Sequence, residues 1–92
     1  MTLCWTPTAL RDLESLYTYI FEDNPTAADT TVDSILAGIA ALQRHPAMGR
    51  KGRVAGTREL VVAPYVVAYR VRRTELEIVS IIHGARRWPE YF

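Results

Sequence analysis

Cysteine occurs once in this 92-residue sequence, as Cys4. A lone cysteine excludes an internal disulfide and favours a reducing, cytosolic setting. Histidine occurs twice, as His45 and His83, and neither lies at metal-ligand spacing from the other or from Cys4. That excludes the familiar zinc arrangements, so no metal is expected. Lysine is confined to Lys51, and arginine supplies the remaining positive charge. The longest nearly apolar run, Leu60–Tyr69, contains Pro64 and falls well short of the roughly 20 residues a bilayer span needs. Met1 leads straight into polar and helix-starting residues, so no signal peptide is expected. There is no glycine-rich phosphate cradle and no nucleophile elbow. The Gly49–Arg53 stretch lacks the spacing, the following Ser or Thr, and the preceding strand. No cofactor is expected. Repeats and low-complexity tracts are absent as well.

What remains is 49% hydrophobic and 23% charged, ordinary for one globular domain over residues 1–92. The stretch from Thr57 to Arg86 carries three β-type runs: Arg58–Ala63, Tyr65–Arg73 and Glu75–His83. Val, Ile and Tyr dominate them and suit a pleated surface. Pro64 and Arg73-Thr74 are the only breaks, too short for a parallel crossover. The expectation is a three-stranded antiparallel meander with one apolar face in need of a cover.

The preceding segment supplies that cover. Thr2–Trp5 reads as a brief strand. Thr6-Pro7 combines a hydroxyl cap with proline at the first helical position. Leu10, Leu13, Tyr17 and Ile20 then recur at helical spacing, widened by Leu16 and Phe21. Asn24-Pro25 repeats the cap-and-proline signal after Asp23. Ala28, Val32, Ile35, Ile39 and Leu42 form the face of a second helix that stops near Arg44-His45. So short a link folds the two helices back as a hairpin. The carboxylates Asp12, Glu14, Glu22, Asp23, Asp29 and Asp33 read as solvated helix-face charge.

The charges divide along the chain. Two bases stand against six acids in residues 1–49, and nine against four in residues 50–92. This is either a directional field that attracts an acidic polypeptide or nucleic acid, or self-neutralisation between the halves. The loop Pro46–Gly56 contains Arg50, Lys51 and Arg53 without an acid; it is a surface connection or a basic lip beside a site. Arg58 shares parity with Leu60 and Val62 and therefore needs an acid, solvent or a ligand. His83 closes the last strand, as a cap or as a functional group. Arg86, Arg87, Trp88 and Tyr91 crowd the end of the sequence, to cover the sheet or to meet a partner.

These elements occur in a distinctive order: Trp5-Thr6-Pro7 with Ala9 and Asp12-Leu13; Asn24-Pro25 with Ala27-Ala28; Leu42 with His45-Pro46; Gly49-Arg50; Gly56-Thr57-Arg58-Glu59-Leu60; Tyr65 to Tyr69-Arg70-Val71; and His83-Gly84-Ala85-Arg86. The ordered set, over nearly the whole chain, resembles the RelE/ParE superfamily of bacterial type II toxin–antitoxin toxins. The resemblance implies an α+β fold, with a short N-terminal strand and a helical hairpin packed on a small antiparallel sheet. It also implies a cytoplasmic toxin, of the kind tied to plasmid stabilization and growth inhibition, and a small antitoxin that folds on contact. The RelE-like branch cleaves mRNA in the ribosome and usually has an arginine after the tyrosine that opens the middle strand. Val66 stands there, and Thr57 and Glu59 lie where that branch carries lysines. The pI of 7.9 is low for a ribosome binder. The likeness is therefore closer to the ParE-like branch, which poisons DNA gyrase without an active site of its own. Arg58, Arg70, Arg72, Arg73, Arg86, Arg87, Trp88 and Tyr91 are the implied target- or antitoxin-binding residues. The alternatives are a ribosome-dependent endonuclease using Arg58, His83, Arg86 and Tyr91, and an inactive member that only binds its antitoxin.

Overall fold

A computed structural model of the protein describes residues 1–85. Its elements are β1 (Thr2–Trp5), α1 (Pro7–Asp23), α2 (Pro25–Arg44), β2 (Arg50–Lys51), β3 (Arg58–Val62), β4 (Tyr65–Arg72) and β5 (Glu75–His83). The strands form one sheet in the order β1-β5-β4-β3-β2, covered on one face by the helical hairpin. The meander β3-β4-β5 is antiparallel, as the short connections require. β1 joins it as a parallel neighbour of β5, with Leu3 beside Leu76 and Trp5 beside Ile78. β2, two residues in the middle of the expected loop, pairs with the start of β3. Among the described residues no helix is long and apolar enough to cross a membrane.

The caps legible in the sequence form as expected. Thr6 Oγ1 accepts from the Ala9 amide at 3.0 Å and starts α1. The same hydroxyl donates to the Val79 carbonyl at 2.8 Å, so the cap also ties α1 to β5. Asn24 ends α1 through its amide, bonded to the Ile20 carbonyl, and starts α2 through its side chain, which accepts from Ala27. One residue thus makes the whole helical turn. α1 runs alongside β5, and α2 returns until Gln43 Nε2 reaches the Met1 carbonyl at 3.2 Å.

The core lies between the layers. Ile35, Ile39 and Leu42 of α2 are buried, as the periodicity of that helix predicts. In α1 the buried stripe is rotated from the expected one. Ala9 and Leu16 are buried, whereas Leu10 is 46% exposed and Tyr17 sits at the margin. The small Ala9 faces inward in the first turn, where Thr6 holds α1 against the sheet. Mid-helix Gly38 has a packing reason, because a Cβ there would lie 3.0 Å from Leu60 Cδ2 and glycine otherwise costs about 1 kcal/mol in a helix. β4 is the central strand, and every residue from Tyr65 to Tyr69 is buried, which explains its unbroken apolar run.

β5 departs from simple alternation. Its register against β4 shifts between Ala68 and Tyr69, leaving Val79 as the extra residue of a bulge. Leu76 and Ile78 therefore share the core with Ile81, across a change of parity that strict alternation forbids. Among the described residues the outer edge of β5 has no strand partner beyond Trp5. Asp12 fills part of that gap: its Oδ2 accepts from the Ile81 amide at 2.9 Å and from Ser80 Oγ at 2.6 Å. The expectation of a merely solvated Asp12 is corrected, since the carboxylate is half-buried and serves as an edge cap. Asp12→Ala should lower stability by about 1–3 kcal/mol, because it orphans a backbone donor. Amide exchange at Ile81 should accelerate more than at Val67; equal protection in both proteins would remove this role.

Candidate functional site

The described basic residues of the second half gather at one end of the sheet. β2, the start of β3, the end of β4 and the start of β5 meet there, with Arg50, Lys51, Arg53, Arg58, Arg70, Arg72 and Arg73. The Asn24 turn, with Glu22, Asp23 and Asp29, lies beyond the opposite end. The three ion pairs between described residues all fall inside the basic half: Arg50–Glu59, Arg53–Glu59 and Arg70–Glu77. Among the described residues the halves do not pair with each other. Over residues 1–85 the division of charge in the sequence is a division in space, which gives this part of the molecule a directional field.

Glu59 is the centre of this end. Its side chain is 2% exposed. Oε1 accepts from Arg50 Nε at 3.2 Å and from its NH2 at 3.0 Å, and Oε2 accepts from the Arg53 amide at 2.9 Å. Burial pushes the Glu59 carboxyl upward, but the Arg53 amide and the two guanidinium groups together hold it below its ordinary value. Tyr69 pins the other side of the loop. Its hydroxyl donates to the Pro46 carbonyl at 2.7 Å and accepts from the Gly49 amide at 2.9 Å. Burial raises its pKa. Gly49 must lack a side chain, because a Cβ would lie 2.8 Å from the Glu59 carbonyl oxygen and collide with Tyr69.

Arg58 completes the clasp. Its NH1 donates to the Gly49 carbonyl at 2.8 Å and to the Ala47 carbonyl at 3.4 Å. Backbone carbonyls thus engage one nitrogen of the arginine that its strand parity made conspicuous, and the residue stays exposed. The loop from Pro46 to Arg53 is consequently a bound rim, held by Tyr69, Arg58 and Glu59, and it presents Lys51 and parts of Arg50 and Arg53 to solvent.

The other sequence-predicted residues separate into four groups. Arg70 is bound to Glu77 Oε1 at 3.0 and 2.7 Å. Arg72 and Arg73 are exposed at the tip of the β4–β5 hairpin, Arg73 at a φ of 55°. Arg86, Arg87, Trp88 and Tyr91 lie outside the described residues. His83 stands at the far end of the sheet. Its Nδ1 accepts from the Ala85 amide at 3.1 Å and its ring meets Tyr65 edge-on at 5.4 Å. That placement is the capping one. Tyr65 pairs with His83, and Tyr69 with Arg58. Four strand residues, about 13 Å, therefore separate the levels of Arg58 and His83. The structure does not bring these two together. Sequence reasoning passed over Glu59 and Tyr69, although Glu59 is the lone acid between Arg50 and Arg73, and that isolation was the available signal.

Comparison with known proteins agrees with this architecture. The family model described as the ParE toxin of the type II toxin-antitoxin system parDE matches residues 3–88. The chain is 43% identical over 88 residues to "Putative toxin Y4kP" of Sinorhizobium fredii (strain NBRC 101917 / NGR234), covering 94% of this chain and 91% of that one. It is 35% identical over 85 residues to Toxin RelE3 of Caulobacter vibrioides, covering 88% and 91%. Among solved structures it superposes with a TM-score of 0.82 and 30% identity on a chain of the chromosomal ParDE TA system from P. aeruginosa, covering 90% of this chain and 95% of that one. Sequence, fold and family model converge: this chain belongs to the ParE toxin family of type II toxin–antitoxin systems, within the RelE/ParE superfamily.

Proposed function

We propose that this toxin acts on DNA gyrase and is neutralised by a cognate antitoxin, rather than cleaving mRNA in the ribosome. The supporting observation is the state of Arg58. It is bound to the Gly49 and Ala47 carbonyls and stands about 13 Å of strand away from His83. Stabilising a scissile phosphate needs several converging cations, and these two candidates do not converge. Val66 adds to this, being a buried residue of the central strand where an arginine would be needed. The test is a pair of assays on purified toxin. Inhibition of gyrase supercoiling, or trapped cleaved DNA, is expected, with intact mRNA on translating ribosomes. Discrete mRNA cuts at the ribosomal A site with gyrase unaffected would reverse the reading.

The antitoxin side of the proposal rests on the basic end of the sheet. Lys51, Arg72 and Arg73 are exposed there. An antitoxin segment with acidic side chains would be steered to this end, with apolar contacts supplying affinity and charge supplying association rate. A cytoplasmic setting follows from such a target.

A further inference from the structure

At the end of the sheet away from the basic cluster, α1 and the last residues of β5 border a cavity of about 330 Å³. Leu16 and Ile81, both buried, give it an apolar floor. Its polar lining is Asp12, Ser15, Tyr19, Tyr65 and His83. Tyr65 is the unusual member. It is 8% exposed, yet its hydroxyl makes no hydrogen bond among the described residues. A buried tyrosine hydroxyl normally has a partner, as Tyr69 on the same strand has on both sides. Asp12 is only half used. Its Oδ2 holds the Ile81 amide and Ser80 Oγ, which fixes the carboxylate, and its Oδ1 accepts no bond among the described residues. His83 Nδ1 accepts from the Ala85 amide. An imidazole that accepts at Nδ1 carries its proton on Nε2, so the ring keeps a donor to spare. Among the described lining residues Asp12 is the one formal charge and no lysine or arginine is present. Its neighbour Arg11 turns back to Thr8 Oγ1 at 3.5 Å.

We propose that this cavity is a binding site for a small aromatic amine. The ammonium group pairs with Asp12 Oδ1, where Ser15 stands one turn further along the same face of α1. The aromatic body covers Leu16 and Ile81 and meets the rings of Tyr19 and Tyr65. A polar group at its far end bonds the Tyr65 hydroxyl and His83 Nε2. A single carboxylate without a lining cation selects a positive ligand over an anion. The volume lies at the lower end of ligand pockets and suits a compact molecule. The site is separate from the basic end and does not depend on which target the toxin attacks.

The test uses the full chain, labelled with ¹⁵N and titrated with tyramine and then with its anionic counterpart, para-hydroxyphenylpropionate. Tyramine should bind saturably, with a Kd of about 1 mM or below, and shift the amides of residues 12–19 and 80–83. The anion should bind about tenfold more weakly or not at all. Ser15→Lys changes an exposed helix position, sets a cation beside Asp12, and should weaken tyramine by about tenfold or more. Tyr65→Phe removes the unpartnered hydroxyl. It should weaken tyramine about three- to tenfold while the thermal midpoint stays at or above that of the wild type. Absence of saturation by about 10 mM, equal binding of the anion, shifts centred on the basic end, or wild-type affinity in either variant would overturn the proposal. So would a lowered midpoint in Tyr65→Phe, because the hydroxyl would then serve the fold and not a ligand.

Discussion

Ile35→Asp should leave too little stability for a folded protein at 37 °C. Ile35 is fully buried, in the middle of α2 and in the cluster that joins both helices to β4 and β5. The substitution removes a large apolar side chain and places a carboxylate where, among the described residues, no cation lies within the core. Loss of the apolar contacts alone amounts to about 2–4 kcal/mol. Desolvation of the charge, or protonation to avoid it, adds several more. The sum is comparable with the whole stability of a domain this small, about 5–15 kcal/mol. Circular dichroism and urea titration should show loss of the cooperative transition. The control is Leu36→Asp, one residue along the same helix but 42% exposed, which should change stability by less than about 1 kcal/mol. Equal effects at both positions would mean that the inward face of α2 is wrongly assigned.

Glu59→Gln should release the rim of the basic end. In the native protein one nearly buried carboxylate receives the Arg53 amide and two guanidinium groups. Glutamine keeps the size but halves the acceptor sites and removes the charge. The two arginines are about half exposed, at 55% and 46%, so water replaces part of what they lose, and the expected cost is about 1–2 kcal/mol. The effect should depend on pH in a definite direction. The Glu59 carboxyl titrates below its ordinary value of 4.5 in the folded protein. Its contribution is therefore complete above that ordinary value and is lost as pH falls through the lower, folded-state one. The gap in unfolding free energy between wild type and Glu59→Gln should be constant from neutral pH to about 5 and should close below 4.5. A gap that persists unchanged at pH 3 would show that the carboxylate acts through shape and not through charge.

Both predictions rest on features of different legibility in the sequence. The α2 face is legible because a long helix repeats its apolar spacing several times, and Ala28, Val32, Ile35, Ile39 and Leu42 give five concordant positions. The caps at Thr6 and Asn24 are equally plain, since each is a polar acceptor followed by proline. β2 is not legible. Arg50 and Lys51 have no apolar periodicity, and they become a strand only because Tyr69, Arg58 and Glu59 hold their backbone against β3. The bulge at Val79 is hidden for a related reason. It replaces one apolar parity by the other, and Ile78, Val79, Ile81 and Ile82, two on each parity, permit either. At the candidate site the basic composition is visible, but its pairing is not. Nothing local indicates that Arg58 ends on carbonyls of its own loop, that Arg70 ends on Glu77, or that Glu59 is enclosed. Those outcomes depend on strand register, which is fixed by packing over the whole sheet.

The parallel contact between β1 and β5 has a kinetic consequence. Thr2 sits beside Glu75 and Trp5 beside Ile78, so β1 must find a partner 73 residues further along the chain. The helical hairpin and the β3-β4-β5 meander need only short loops, and each can close early on local contacts. β1 closes the longest loop in the molecule and gains nothing until β5 has formed, so its docking comes last. The Thr6 link to Val79 and the Asp12 cap on Ile81 lie just beyond that junction and lock with it. The late step of folding is therefore the seating of the first strand. Refolding should be slowed most by substitutions in the hairpin and the meander, whereas changes in β1 should mainly speed unfolding.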